Sequence, residues 1–179
     1  MHDASESPHA LVVFESMFGN THAIAVAVAE SLATQYRDVD VVDVADAPLR
    51  LDDVSLLVVG APTHAFGMSR LSTRRAATDQ GAEATVERGV REWLADLERP
   101  TRPMRAAVFD TRIRKPLMPG SAARAMRRRL RRLGLEVTAP ISFGVTGTPG
   151  PLVDGELDRA RRWATSLAAR VPTMSAGSS

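Results

Sequence analysis

The chain has 179 residues, of which 44% are hydrophobic and 25% are charged. That length fills one domain well and is short for two. The sequence contains no cysteine, which excludes disulfide bonds, thiolate zinc sites and iron–sulfur clusters, so an organic cofactor would have to supply any redox chemistry. No apolar run approaches the roughly 20 residues of a membrane span, and residues 1–8 lack a signal-peptide core. We expect one cytoplasmic domain at 10–170, with loose tails at 1–9 and 171–179.

Charge is distributed unevenly along the chain. Residues 1–100 carry 16 acids and 8 arginines, whereas residues 101–179 carry 5 acids and 15 bases, so the formal charges are −8 and +10. A strongly basic half favours an acidic partner protein or a phosphorylated small molecule through electrostatic steering. A coding bias is also indicated, because one lysine stands against 22 arginines. The arginine run at 127–132 has no nucleic-acid motif beside it, so we interpret it as a solvated helix face.

Strand and helix patterns alternate, starting from a buried strand at 10–15. Further strands are predicted at 39–44, 55–60 and 105–110, and a fifth begins near Leu135 and resumes at 141–145 after the break that Pro140 imposes. The helices between and after them are predicted at 21–36, 84–97, 121–133 and 154–170. Such alternation predicts an α/β fold, a three-layer α/β/α sandwich around a five-stranded parallel sheet. Ligands of such sheets bind at the carboxyl ends of the strands.

Two helices show apolar stripes at helical spacing. In the first, Ile24, Val28 and Leu32 are predicted to face the sheet. The last helix has a stripe of four apolar residues: Leu157, Ala160, Ala164 and Leu167. These stripes give each helix a core-facing side.

The loop after the first strand has the character of a phosphate site. Residues 12–21 read VVFESMFGNT, an apolar strand that stops at a Ser-x-x-Gly-x-Thr loop before a helix. The first amides of that helix lack backbone partners, and with the two hydroxyls they suit a phosphate monoester. Neither a Walker lysine nor a Gly-x-Gly-x-x-Gly turn is present. The alternative is an ordinary turn in which Asn20 caps the helix.

This loop resembles that of the flavodoxin family, whose pattern of apolar pair, aromatic, x-Ser/Thr-x-x-Gly-x-Thr, alanine and aliphatic residue is met from Val12 to Val28. The resemblance covers about residues 11–169. It implies a flavodoxin-like fold, in which the five strands of the sheet have the order 2-1-3-4-5, and FMN as the cofactor. The residues that it implies around the 5′-phosphate are Ser16, Met17, Phe18, Gly19, Asn20 and Thr21.

The loop after the third strand, GAPTHAFGMSR at 60–70, looks like the Pro-Thr-x-x-x-Gly-x-Met neighbourhood of flavodoxin-like quinone reductases, with a difference of one residue in spacing. The alternative is a rigid loop that tucks Phe66 and Met68 into the core. The residues that the resemblance implies beside the flavin ring are Pro62, Thr63, His64, Phe66, Gly67 and Met68.

The loop after the fourth strand lacks the tyrosine that flavodoxins commonly place there, and Asp110, Thr111 and Arg112 stand in its position as implied cofactor contacts. A guanidinium near the ring would stabilise the anionic reduced flavin and raise its potential. Arg112 is therefore a candidate catalytic residue, with a solvated charge or an ion pair to Asp110 as the alternatives. His64 is the candidate proton donor. The four histidines form no ligand-spaced cluster, so no metal site is predicted.

Few aromatic residues are placed to cover a flavin, because Trp93 and Trp163 fall inside helical patterns and leave Phe66. An open flavin face suits an oxidoreductase that moves electrons from NAD(P)H or a reductase to a small acceptor such as a quinone. Two alternatives stay open: a one-electron carrier for a protein partner, and a flavin-free protein of this fold that acts in regulation. The segment 71–83 is expected to form a lid or a contact with a second copy in a homodimer.

Overall fold

The structure is a computed structural model that describes residues 8–64, 67–82, 87–114 and 120–169. The strands are β1 His9–Phe14, β2 Asp38–Asp43, β3 Leu56–Pro62, β4 Arg105–Ile113, β5 Glu136–Val137 and β6 Ile141–Val145. The helices are α1 Asn20–Leu32, α2 Leu71–Asp79, α3 Val90–Asp96, α4 Ala122–Arg132 and α5 Glu156–Ala168. Helices follow β1, β3, β4 and β6, whereas β2 leads directly to β3 and β5 to β6. No described helix has the length and apolarity needed to cross a membrane.

The strands form one parallel sheet in the order β2-β1-β3-β4-β5, and β6 also pairs with β4. The predicted order is therefore confirmed, and so is the break in the fifth strand. Ala106 lies opposite Val137, whereas Phe109 lies opposite Ile141, so the β5–β6 side carries one extra residue. Pro140 lies in that interruption, because proline cannot donate a hydrogen bond to the ladder.

Two helical layers cover the sheet. On one side α1 and α5 pack together over a cluster that contains Ile24, Val28 and Leu32, all fully buried as predicted. On the other side α3 and α4 cover a cluster that includes Trp93 and Met126. The molecule is thus the expected three-layer sandwich, with the sheet in the middle.

Some element bounds differ from the sequence prediction. The first helix ends at Leu32, four residues early, and α3 begins at Val90. In α5, Leu157 is 38% exposed, so the predicted stripe is wrong at that position. The carboxylate of Glu156 is buried instead, because Arg114 and Arg159 donate to it at 2.7 and 2.8 Å. Two ion pairs make the burial of a charged group tolerable where an apolar residue is expected.

Two segments near the strand ends differ most from expectation. Residues 71–79, interpreted as part of a lid or subunit contact, form α2, which packs through Ala77 against Met17. Either role for α2 stays a prediction. Strand β4 continues to Ile113 because it pairs with β3 as far as Thr111 and with β6 as far as Ile113. Thr111 and Arg112 therefore belong to a strand, which fixes the directions of their side chains.

Candidate functional site

The carboxyl ends of β1, β3 and β4 surround a cleft of about 220 Å³. This is the edge of an α/β sheet at which ligands bind. Ten residues that the sequence analysis assigned to a cofactor line it: Ser16, Met17, Phe18, Asn20, Thr21, Pro62, Thr63, His64, Thr111 and Arg112. Four further lining residues were not predicted: Ile113, Val145, Gly147 and Thr148.

The start of α1 offers backbone donors to this cleft. Gly19 precedes the helix with φ +82°, a left-handed conformation that glycine adopts without strain, and no side chain caps the helix. Asn20, the cap in the alternative interpretation, is already inside the helix. The first amides of an α-helix have no intrahelical acceptors, and they carry the positive end of the helix dipole. They suit an anionic ligand.

Ser16 carries the clearest sign of a missing ligand. Its side chain is 9% exposed, and its Oγ atom is buried without a hydrogen-bond partner. A buried hydroxyl normally finds a partner, because an unsatisfied one costs about 1–3 kcal/mol. Ser16 lies on the cleft beside the beginning of α1. A phosphate oxygen in that position would give the hydroxyl an acceptor, so these residues fit the phosphate of FMN.

Hydrogen bonds hold the loop in place from two directions. The Oγ1 atoms of Thr21 and Thr111 lie 2.8 Å apart and join α1 to β4. Asn20 donates from Nδ2 to the carbonyl of Pro149 at 3.2 Å, which ties the helix to the turn after β6. Gly150 leaves the space for that contact, since a Cβ atom there would come within 2.6 Å of the Asn20 amide.

Asp110 is a predicted cofactor contact that the structure places beneath the cleft rather than on its surface. The residue is fully buried. Its Oδ2 atom accepts from Thr63 Oγ1 at 2.8 Å, Ser121 Oγ at 2.6 Å and the Ala123 amide at 3.0 Å. Asp110 thereby fixes Thr63, which lines the cleft, and the start of α4. This geometry assigns it a positioning role.

His64 lies between this cleft and a second one, which Gly67 and Met68 line. The backbone groups of His64 and Gly67 exchange two hydrogen bonds of 2.9 Å. Burial lowers the pKa of the His64 imidazole below its ordinary 6.5. Met68 also packs against the core, as the alternative interpretation held. Phe66, the predicted ring cover, lies outside the described residues.

Arg112 borders the cleft from β4 and donates from one terminal nitrogen to the Gly120 carbonyl at 3.0 Å. The bond holds a positive charge at the wall where the flavin ring is predicted. Its influence on a bound ring is untested and stays a prediction.

A buried polar network beside the loop was missed by sequence reasoning. Glu15, fully buried, accepts hydrogen bonds from the Ser69 hydroxyl and, at 2.8 Å, from the Val90 amide. Arg74 is 2% exposed, donates to Ser69 at 3.0 Å and pairs with Glu92 at 3.1 Å. The network joins the residue before Ser16 to α2 and α3. The sequence contained one indication of this network, which is a glutamate at the end of an otherwise apolar predicted strand.

Another cleft, of about 300 Å³, lies near Tyr36 and Arg105, at the amino end of β4. Parallel sheets rarely bind ligands at that edge. It also gathers none of the predicted site residues, so the cleft at Ser16 is the better candidate.

No protein-family model and no curated protein sequence matches the chain. Among solved structures, it is similar to a flavodoxin from Streptococcus pneumoniae TIGR4 at 22% identity and a TM-score of 0.63, covering 91% of this chain and 99% of that one. A WrbA-like flavodoxin from Agrobacterium tumefaciens shows 18% identity, a TM-score of 0.57 and coverage of 91% and 96%.

The rubredoxin oxygen:oxidoreductase of Desulfovibrio gigas matches at 16% identity and a TM-score of 0.62 over 93% of this chain, which spans only 37% of that protein. These likenesses lie in the backbone, since the identities are low. They agree with the sheet order and with the helical layers. The chain has the flavodoxin-like fold.

Proposed function

We propose that the protein binds FMN and uses it to move electrons from NAD(P)H or a reductase to a small acceptor such as a quinone. The observation that carries the proposal is the buried, unpartnered Ser16 hydroxyl beside the uncapped start of α1. Solved flavodoxins that share the fold support the same cofactor. When bound, FMN supplies both hydride and single-electron chemistry.

The residues of the cleft divide between the two ends of the cofactor. The phosphate end would be held by the amides and hydroxyls of residues 16–21, with Ser16 and Thr21 as hydroxyl donors. The ring end would lie among Pro62, Thr63 and Arg112, which line the same cleft. Thr63 is held by Asp110, so its side chain is oriented before any ligand arrives. Such preorganisation lowers the entropic cost of binding.

Two side chains are proposed to act on the chemistry. The Arg112 guanidinium favours extra negative charge on a ligand beside it, because opposite charges attract strongly where water is partly excluded. His64 lies at the junction of two clefts. Since burial lowers its pKa below 6.5, the imidazole is mostly neutral at pH 7 and is able to accept a proton on one nitrogen while it donates from the other.

The placement of the large aromatic residues supports an acceptor that approaches the ring directly. Trp93 is buried and donates from its indole to the Pro48 carbonyl at 3.0 Å. Trp163 packs edge-on against Phe109, and Tyr36 is 3% exposed near the other edge of the sheet. These three aromatic side chains therefore pack away from the cleft. Among the described lining residues, Phe18 is the only phenyl ring on the cleft.

A one-electron carrier is the second candidate, favoured because the 179 residues contain no Gly-x-Gly-x-x-Gly dinucleotide turn, although the basic half of the chain opposes it. The protein would then accept electrons only through a protein partner. Either redox role suits the cytoplasm, where NAD(P)H and soluble reductases are available. A flavin-free regulatory protein is the third candidate, and the first experiment tests it directly.

The first experiment is a titration of the purified protein with FMN, followed by flavin fluorescence and visible absorption. We expect quenching with a defined affinity, and about tenfold weaker binding for Ser16→Ala, the equivalent of one charge-assisted hydrogen bond. Ser166→Ala is the matched control, because Ser166 lies on α5, outside the cleft, and donates to the Trp163 carbonyl at 2.6 Å. Absence of binding at high FMN concentration would favour the flavin-free candidate.

Stopped-flow mixing of the FMN-loaded protein with NADPH then separates the two redox roles. Direct bleaching of the flavin, followed by reoxidation with a quinone, supports the enzyme. Reduction that requires an added reductase supports the carrier.

A further inference from the structure

Helix α4 presents four arginines on one side. Arg124, Arg127, Arg128 and Arg131 have the spacing i, i+3, i+4 and i+7, and all four line a cleft of about 460 Å³ beside Pro140 and Ser142. Arg124 and Arg128 also line a cleft of about 680 Å³, together with Arg70 and Arg91. We call this surface, formed by residues 70, 91, 124, 127, 128 and 131, the arginine face.

No acidic side chain among the described residues forms an ion pair with the arginine face. Among the residues that the structure describes, no aspartate or glutamate lines either cleft. Within the same part of the chain, Arg124, Arg128 and Arg131 make no ion pair or side-chain hydrogen bond, and the Nε atom of Arg127 is buried without a partner. Like charges this close repel each other, which raises the free energy of the folded protein. A bound anionic partner would relieve that repulsion.

A general excess of arginine does not explain this arrangement. Several arginines elsewhere on the molecule are paired with acids, among them Arg50 with Asp52 at 3.0 Å, Arg88 with Asp96 at 3.1 Å, and Arg161 with Asp158 at 3.1 Å. A coding bias would supply arginines everywhere, but it would not remove their partners from one surface. On the arginine face, by contrast, six arginines line two adjoining clefts in which no described residue is acidic.

The arginine face adjoins the candidate FMN cleft. Arg112 borders both that cleft and the 460 Å³ cleft, and His64 borders both it and the 680 Å³ cleft. A partner seated on the arginine face would therefore lie next to the place where the flavin ring is predicted. Short separation is what electron exchange between two proteins requires.

The opposite edge of the sheet is acidic. Strand β2, at that edge, has the sequence DVDVVD, and Asp46, Asp52 and Asp53 follow it in exposed positions. The molecule is thus electrically polar across the sheet, with its positive end at α4. Such a charge distribution orients an approaching charged partner and accelerates its association.

We propose that the arginine face is a docking surface for an acidic redox partner protein. Arg124 and Arg131 are seven residues apart, about 10 Å along the helix axis, which exceeds the reach of a single phosphate and matches a row of carboxylates. Arginine forms bidentate pairs with carboxylates. The partner's redox character rests on the proposed function, whereas the acidic docking does not.

Binding of decaglutamate to the flavin-free protein, measured by titration calorimetry at low salt, tests the docking surface without the cofactor. We expect about tenfold weaker binding for Arg128→Glu and for Arg124→Glu, with a steep dependence on salt. Arg162→Glu is the matched control: it makes the same charge change at an exposed position of α5, on the other side of the sheet, and should have a much smaller effect. Circular dichroism confirms that each variant is folded.

Equal loss in all three variants would overturn the proposal, because it would show a response to net charge alone. Binding of 2′,5′-ADP would also overturn the proposal under two conditions: Arg128→Glu abolishes the saturable binding, and decaglutamate does not displace the nucleotide. The arginine face would then be assigned to a nucleotide. Concentration-dependent self-association at low salt that Arg128→Glu abolishes would assign it to a second copy of the chain.

A kinetic measurement on the FMN-loaded, reduced protein tests whether docking occurs near the flavin. We expect anionic ferricyanide to reoxidise the wild type several-fold faster than Arg128→Glu does, with the order reversed for cationic hexaamminecobalt(III). Equal rates would overturn the placement beside the flavin. If FMN does not bind but decaglutamate binding still depends on Arg128, the docking surface stands while the proposed function fails.

Discussion

The side-chain oxygens of Thr21 and Thr111 lie 2.8 Å apart in the interior and join the first turn of α1 to the far end of β4. Replacing one of them with valine leaves the other hydroxyl buried without its partner, so each single variant should lose about 1–3 kcal/mol of unfolding free energy. The double variant should lose less than the sum. Urea unfolding of the three variants gives this coupling, and additive losses would show that the bond contributes little.

The same pair separates stability from cofactor binding. Thr21 is a predicted phosphate contact, whereas Thr111 is a predicted contact on β4, away from the phosphate loop, and its hydroxyl is bonded to that of Thr21. We therefore expect Thr111→Val to keep most of the FMN affinity and Thr21→Val to weaken it about tenfold. Equal affinities in the fluorescence titration would remove Thr21 from the phosphate site.

Glu15 should make stability depend on pH in an unusual direction. Burial raises the pKa of its carboxyl above the ordinary 4.5, against the hydrogen bonds from Ser69 and Val90. Between the two values the folded protein holds a proton that the unfolded chain releases, so this group's stabilisation is present below pH 4.5 and is lost as pH rises through the raised pKa. Glu15→Gln cannot titrate. The stability of the wild type relative to Glu15→Gln should fall over that range in urea unfolding, and a constant difference would contradict the raised pKa.

Gly60 has no room for a side chain, because a Cβ atom would overlap the ring of Phe109. That ring is fixed by edge-on contacts to Phe143 and Trp163, at centroid distances of 5.8 and 6.0 Å. Gly60→Ala should therefore cost about 1–3 kcal/mol through overpacking. Gly67→Ala is the control, since its Cβ would meet nothing within 4 Å. Thermal unfolding should show a lower midpoint for Gly60→Ala alone, partly restored by adding Phe109→Leu.

Arg112 is predicted to set the flavin potential. Arg112→Ala should lower the two-electron potential by about 30 mV or more, equivalent to about 1.4 kcal/mol, while FMN affinity is kept. Arg112→Lys should retain most of the potential because it retains the charge. Arg114→Ala, two residues along, removes the same charge from a side chain paired with Glu156 at 2.7 Å and should have a smaller effect. An unchanged potential in Arg112→Ala would eliminate the charge role.

His64 should contribute a pH dependence of the opposite sign to that of Glu15. Burial lowers its pKa below 6.5, so the unfolded chain binds a proton that the folded protein excludes. Its stabilisation is complete above pH 6.5 and is lost as pH falls through the lowered pKa. His64→Gln should flatten this part of the stability profile. The inflection in the pH–rate profile of quinone reduction should also lie below 6.5, and should vanish in His64→Gln if His64 moves the proton.

The layers could be predicted from sequence because they follow from local signals, whereas the strand order followed from the resemblance to flavodoxins. Ile24, Val28 and Leu32 repeat at helical spacing, and a proline such as Pro140 interrupts the hydrogen bonding of a strand. The loop at Ser16 was identified because a strand, a turn and a helix start follow one another within ten residues. Each of these patterns is contained in one short stretch of chain.

The parts that sequence reasoning missed depend on contacts between distant residues. Glu15 and Ser69 are 54 positions apart, and the burial of Glu156 depends on Arg114, 42 positions away. The spacing of apolar and polar residues along the sequence does not reveal such long-range pairs. The cleft-lining Ile113 follows in the same way from the pairing of β4 with β6, which extends the strand beyond its apolar run.

The two tryptophans lie on opposite sides of the sheet, Trp93 in the layer of α3 and Trp163 in that of α5. The tryptophan fluorescence of a Trp93→Phe variant would come from Trp163, in the layer of α5. That of a Trp163→Phe variant would come from Trp93, in the layer of α3. The chain thus contains its own pair of fluorescent reporters. Coincident unfolding curves for the two variants would show that both layers melt as one cooperative unit, whereas separate midpoints would identify the layer that opens first.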